Sequence, residues 1–169
     1  MKNKRKPFRF LSSLNDIKKF LSNFSTREEK KKIINLKQRL KSKTVYPYNT
    51  NDAYKLYNLI IKSKRLCALE FGSGWSTLII AKALFDLKKK YLKDANKLRK
   101  QDKFCLYVVE TSHKWKKITE KRIPKEIKKE IKIKFLVTQS QMSLFNNKIC
   151  TLYKKLPNCN PDFIYLDGP

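Results

Sequence analysis

Three carboxylates stand at the ends of short apolar runs: Glu70 in "RLCALEF", Glu110 in "FCLYVVE" and Asp167 in "DFIYLDGP". The chain carries 14 acidic residues in all. These runs contain no other acid until Asp162. A carboxylate held against apolar neighbours loses hydration at a cost unless it meets a donor. A ligand with hydroxyls and an amine would supply such donors. Directly after the first run comes "GSGWST", with Gly72 and Gly74 two residues apart. They are two of the three glycines in the chain, where average usage would give about a dozen. Glycine supplies positive φ and permits close backbone approach. The expectation is that no side chain fits at Gly72 or Gly74.

The elements that would position these residues can be read from pattern. "RLCALEF" and "FCLYVVE" read as buried strands, "IKIKFLV" as a third strand alternating toward its start, and "DFIYLDGP" as a last strand. "KICTLYKKLP" reads as a short strand or hairpin. Between the first two strands, "WSTLIIAKALFDLKKKYLKDANKLRK" keeps three-four apolar spacing through Leu84, Leu87, Tyr91, Ala95 and Leu98. A helix of that length reaches roughly 36 Å against about 20 Å for a strand, so its lysine-rich end must overhang the sheet or bend. "TSHKWKKITEKRI" is a second helix, stopped by Pro124. Strand alternating with helix predicts an α/β fold with a parallel sheet and right-handed crossovers. In such sheets ligands bind beyond the carboxyl ends of the strands. Ahead of the sheet lie basic helices. "SLNDIKKFLSNF" is a short one. "STREEKKKIINLKQRL" has Ser25 and Glu28 at capping-box spacing. "DAYKLYNLIIKS" is capped by Thr50 or Asn51. The boundaries that follow are a basic N-terminal helical segment over 1–62 and the sheet domain over 63–169.

Composition narrows the function classes. The formal net charge is +27 over 169 residues. One reading is a polyanion partner. The other is compositional drift, since lysine outnumbers arginine 34 to 7 and is spread along the whole chain. Phosphate-reading domains draw on arginine, whose fork matches phosphate bidentately, so drift is the better-supported reading. Non-specific adhesion to polyanions follows from either. Four cysteines without a C-x-x-C pair and a single histidine, His113, argue against a metal site. Cys67 and Cys105 read as small core residues. With no disulfide framework, no signal peptide and no run of membrane-spanning length, the expectation is a cytoplasmic protein without membrane insertion.

"LEFGSGWST", "YVVE" and "PDFIYLDGP" together resemble the class I S-adenosylmethionine-dependent methyltransferases. They match, in turn, the acid and glycine-x-glycine of that family's first motif, its second-strand acid, and its fourth strand with an acidic end. The wording is similar to Lys- and Asn-rich methyltransferase-like proteins of marine bacteria. The resemblance covers roughly residues 65–169. It implies a Rossmann-like sheet, S-adenosylmethionine as cofactor, and methyl transfer to an acceptor that the sequence does not identify. Gly72, Ser73 and Gly74 would let the loop backbone touch the methionine part of the cofactor. Ser76 and Thr77 open the long helix, where free N–H groups and the dipole favour the cofactor's carboxylate. Glu70 would face its ammonium or a bridging water. Glu110 would accept the ribose hydroxyls, and Thr111 to His113 would border the adenine. Asp167 would lie near the methyl group as the candidate catalytic base.

Plainer readings stand beside these. The glycines can form a simple turn, Ser76 a helix cap, Glu110 a dipole-stabilising acid, and Asp167 part of an Asp-Gly-Pro turn. His113 reads as a surface residue. Trp75 either caps the cofactor site or packs under the N-terminal helices. The resemblance also departs from its pattern. The first helix is lengthened by "KKKYLKDANKLRKQDK", and only four of the family's seven strands are present. That leads to the expectation of an N-terminal fragment of a longer protein. Two rivals remain. A nicotinamide-dependent oxidoreductase would want G-x-G-x-x-G, but Thr77 holds the third position. A basic nucleic-acid-binding module would bind polyanions and no nucleoside cofactor.

Overall fold

The computed structural model describes residues 9–27, 29 and 48–166. The chain separates into two compact units, Met1–Lys55 and Leu56–Pro169.

In the first unit, helix α1 spans Leu14–Ser22. It begins with a reciprocal capping box: the Asp16 N–H donates to Ser13 Oγ, and the Ser13 N–H donates to the Asp16 carboxylate, each at 3.1 Å. Hydrogen bonds to the carboxylate from Ser13, its side chain first, and from Ser12 hold the Asp16 carboxyl below its usual range. Ile17 and Leu21 are the buried side. The capping box expected at Ser25 and Glu28 lies one residue later. The Thr26 N–H donates to Glu29 Oε2 at 2.8 Å, and the Glu29 N–H donates to Thr26 Oγ1 at 3.2 Å. Ser25 instead donates its hydroxyl to the Leu21 carbonyl. The remainder of that expected helix is outside the described residues. Helix α2, Thr50–Ser63, is shared between the units. Its cap is neither Thr50 nor Asn51: the side chain of Asn49 accepts from the Asn51 N–H at 2.9 Å.

The second unit carries the sheet. In chain order it contains β1 Cys67–Phe71, α3 Trp75–Asn96, β2 Cys105–Glu110, α4 His113–Arg122, α5 Lys125–Glu130 and β3 Lys132–Val137. Then follow β4 Ser140–Phe145, β5 Lys148–Tyr153 and β6 Phe163–Leu166. The main sheet has four parallel strands in the order β3-β2-β1-β6. This is an α/β fold, and its order is compatible with the first strands of a Rossmann-like sheet. Helix α3 packs on β1 and β2 and against both α4 and α5, so the three helices share one face. Ala68, Leu106 and Val108 point to that face and are fully buried.

The opposite face holds Cys67, Leu69, Cys105, Tyr107 and Val109, packed against Phe71, Tyr153 and Cys159. Cys67 and Cys105 are thus core residues, as read from their apolar runs. All four thiols are free, and burial pushes Cys67 up to about 12.

Three features decide between the pattern's alternatives or go beyond it. Helix α3 resolves its excess length by bending: Tyr91 departs from helical geometry at φ −116°, ψ 16°. Helix α5, six residues long, buries one apolar side chain, Ile127, too little for a periodic signal. Strand β4 precedes the expected β5, and the two form an antiparallel hairpin. Its two-residue turn, Asn146-Asn147, has φ of 48° and 60°. Paired positive φ is the geometry of a type I′ turn, which asparagine tolerates. Among the described residues no helix is long and apolar enough to cross a membrane.

Candidate functional site

The site begins where β1 ends. Gly72 has φ 87°, the left-handed region that side chains resist, and its N–H donates to the Val109 carbonyl at 2.8 Å. The glycine loop is thereby tied to the neighbouring strand. Gly74 differs. Its φ of −179° is extended backbone, and a Cβ there would have nothing within 4 Å. The protein's own atoms leave that position open, which corrects the expectation that no side chain fits. Trp75 then opens α3, buried beneath the guanidinium of Arg122, which lies 3.7 Å from the ring centroid. Trp75 therefore packs within its own unit, against α4.

Glu110 ends β2 beside this loop and is 6% exposed. Its Oε1 accepts the N–H groups of Thr111 at 2.8 Å and Ser112 at 2.9 Å. Its Oε2 accepts the Ser73 hydroxyl at 2.5 Å. Thr119 of α4 donates to Ser73 Oγ at 3.4 Å. Ser112 caps α4 through its bond from the Trp115 N–H. The Glu110 carbonyl accepts the Thr138 N–H at 2.9 Å, just past the end of β3. Loops after β1 and β2 therefore meet around one carboxylate at the carboxyl edge of the sheet, and the chain after β3 is tied to the same residue's backbone.

The other expected residues distribute unevenly. Glu70 is fully buried on the helix-covered face of β1, in register with Val108 and Tyr165. Ser76 is half-buried in the first turn of α3, a turn without acidic residues. Thr77 is fully buried, and its hydroxyl accepts the Gly74 N–H at 3.0 Å. It shapes the loop from inside. Thr111 and His113 are exposed. Asp167 lies outside the described residues.

Thr119 and Arg122 were not anticipated. Being polar, they gave no apolar stripe, but with Trp115 they recur at i, i+4 and i+7, the spacing of one helical face. Asp162, by contrast, works at the opposite end of the sheet. Its carboxylate accepts the N–H groups of Leu66 and Cys67 and pairs with Lys100 at 3.6 Å. Among the described residues no group of three or more His, Cys, Asp or Glu is placed to hold a metal ion.

Chemically, the edge offers a carboxylate with hydrogen-bonding capacity, a glycine position open to close approach, and the N-terminus of a 22-residue helix. That set suits a ligand with hydroxyl donors at one end and an anionic group at the other. A scan against protein-family models gives no match to this chain, and a search of curated proteins gives no significant match.

Proposed function

We propose that the chain binds S-adenosylmethionine and serves methyl transfer, with the acceptor unassigned. The observation that carries this reading is the junction of the glycine loop with the second-strand acid, made by the Ser73–Glu110 and Gly72–Val109 bonds. The residues fit the cofactor. Glu110 would take ribose hydroxyl, the Gly72–Gly74 backbone would lie along the methionine part, and the first turn of α3 with Ser76 would face its carboxylate. Glu70 and Thr77, both buried, would set the loop's shape from beneath. The cofactor supplies an electrophilic methyl group. The protein's contribution is to position it and the acceptor for in-line attack, with Asp167 as the candidate to take a departing proton.

The test is equilibrium dialysis with S-adenosylhomocysteine in 0.5 M salt, which suppresses polyanion adhesion. Wild type should bind, and Glu110→Ala should bind roughly tenfold more weakly or worse, since a hydrogen bond to a charged group is lost. Equal affinity of the two proteins would remove Glu110 from the site. The net charge of +27 favours one rival, a nucleic-acid-binding module. That module would bind polyanions steeply against salt and ignore the nucleoside. A nicotinamide site is disfavoured because Thr77 replaces the third glycine.

A further inference from the structure

We infer that Ser73 is a specificity-determining residue whose hydroxyl competes with a ligand's vicinal diol for Glu110. This rests on the reading of the edge as a nucleoside site, and it concerns how the sugar is read there. An ionised carboxylate offers about four acceptor positions, two on each oxygen. On Glu110, Oε1 has both positions taken by the N–H groups of Thr111 and Ser112. These bonds belong to the turn into α4 and do not yield without unmaking it. Oε2 has one position taken by Ser73. One acceptor position therefore remains among the described contacts. A single sugar hydroxyl can use it while Ser73 stays in place. A diol donating twice must displace the Ser73 hydroxyl, and that bond to a charged group is subtracted from its affinity. Ser73 is half-buried on the glycine loop, and its bond to Glu110 is made by a side-chain hydroxyl that can rotate away, whereas the other two are made by backbone N–H groups.

The experiment measures dissociation constants of the full chain for adenosine, 2′-deoxyadenosine, 3′-deoxyadenosine and S-adenosylhomocysteine, in wild type, Ser73→Ala and Ser73→Thr. Ser73→Ala should bind adenosine on the order of tenfold more tightly than wild type does. The two deoxynucleosides should bind wild type and Ser73→Ala about equally. Ser73→Thr, which restores a hydroxyl, should return the wild-type ratio of diol to deoxy affinity. A purely structural role would move all ligands together and leave that ratio unchanged. Equal or weaker adenosine binding by Ser73→Ala overturns the inference, as does a gain shared by the deoxynucleosides. Adenosine binding with the Ser73 effect, but no binding of S-adenosylhomocysteine, defeats the methyl-transfer reading and leaves the inference standing. S-adenosylhomocysteine binding without the effect does the reverse. No binding of any of the four overturns both.

Discussion

At Gly72 the backbone φ of 87° is one that a side chain resists, whereas at Gly74 both conformation and space admit a methyl group. Gly72→Ala should cost about 1–3 kcal/mol in chemical denaturation. Gly74→Ala should leave the denaturation midpoint near wild type yet weaken S-adenosylhomocysteine binding, because the new methyl group meets only a ligand. A Gly74→Ala protein that binds normally would make this glycine irrelevant to the site. Cys67 gives a pH prediction of known sign. Burial raises its thiol from 9.0 to about 12. Between those values the unfolded chain has released the proton and the folded one has kept it. Stability should be full below pH 9 and fall as pH rises toward 12. Thermal melts across that range should show a shallower fall in Cys67→Ala.

Among elements, α2 and α3 are joined by a buried charge. Asp86, fully buried in the middle of α3, accepts the Tyr57 hydroxyl at 2.6 Å and pairs with Lys82 at 2.5 Å. Burial raises the Asp86 carboxyl, and Lys82 opposes that shift. Removing the acid takes the ion pair from a half-buried cation and an acceptor from the Tyr57 hydroxyl. Asp86→Ala should therefore lose about 3–5 kcal/mol in urea unfolding, and Tyr57→Phe about 1 kcal/mol. Little of this was legible, because an acid inside an apolar helix gives no hint of its partner. The strands were more readable. Continuous apolar runs mark strands buried on both faces, as β1 and β2 are; β6 also lies where its run predicts, but as the end strand of the sheet with Ile164 and Leu166 exposed. Elements held by few apolar residues, such as α5 with Ile127 and β4 with its exposed Met142 and Leu144, left no such mark. Caps were displaced by one position, since Ser, Thr and Asn neighbours compete for the same N–H groups.

For the whole molecule, the sheet places chemistry and charge at different levels of order. Its carboxyl edge was anticipated, because parallel strands bring their ends together. Glu110 and the glycine loop do converge there. The contacts that join them, Ser73 to Glu110 and Thr119 to Ser73, come from residues 37 and 46 positions apart, a separation local spacing cannot encode. The same holds for Arg122 over Trp75. Glycine economy leaves its own trace. With three glycines in the chain, left-handed backbone among the described residues falls, besides Gly72, to Lys64, Phe104, Asn146 and Asn147, at φ of 50°, 55°, 48° and 60°. Each such residue carries torsional strain that a hydrogen side chain would release, least at the asparagines. The exposed bends at Lys64 and Asn147 are therefore ready points for thermostabilisation: Lys64→Gly and Asn147→Gly should each raise the melting temperature by roughly 2–4 °C, additively. A protein built with so little glycine keeps unspent stability in its turns.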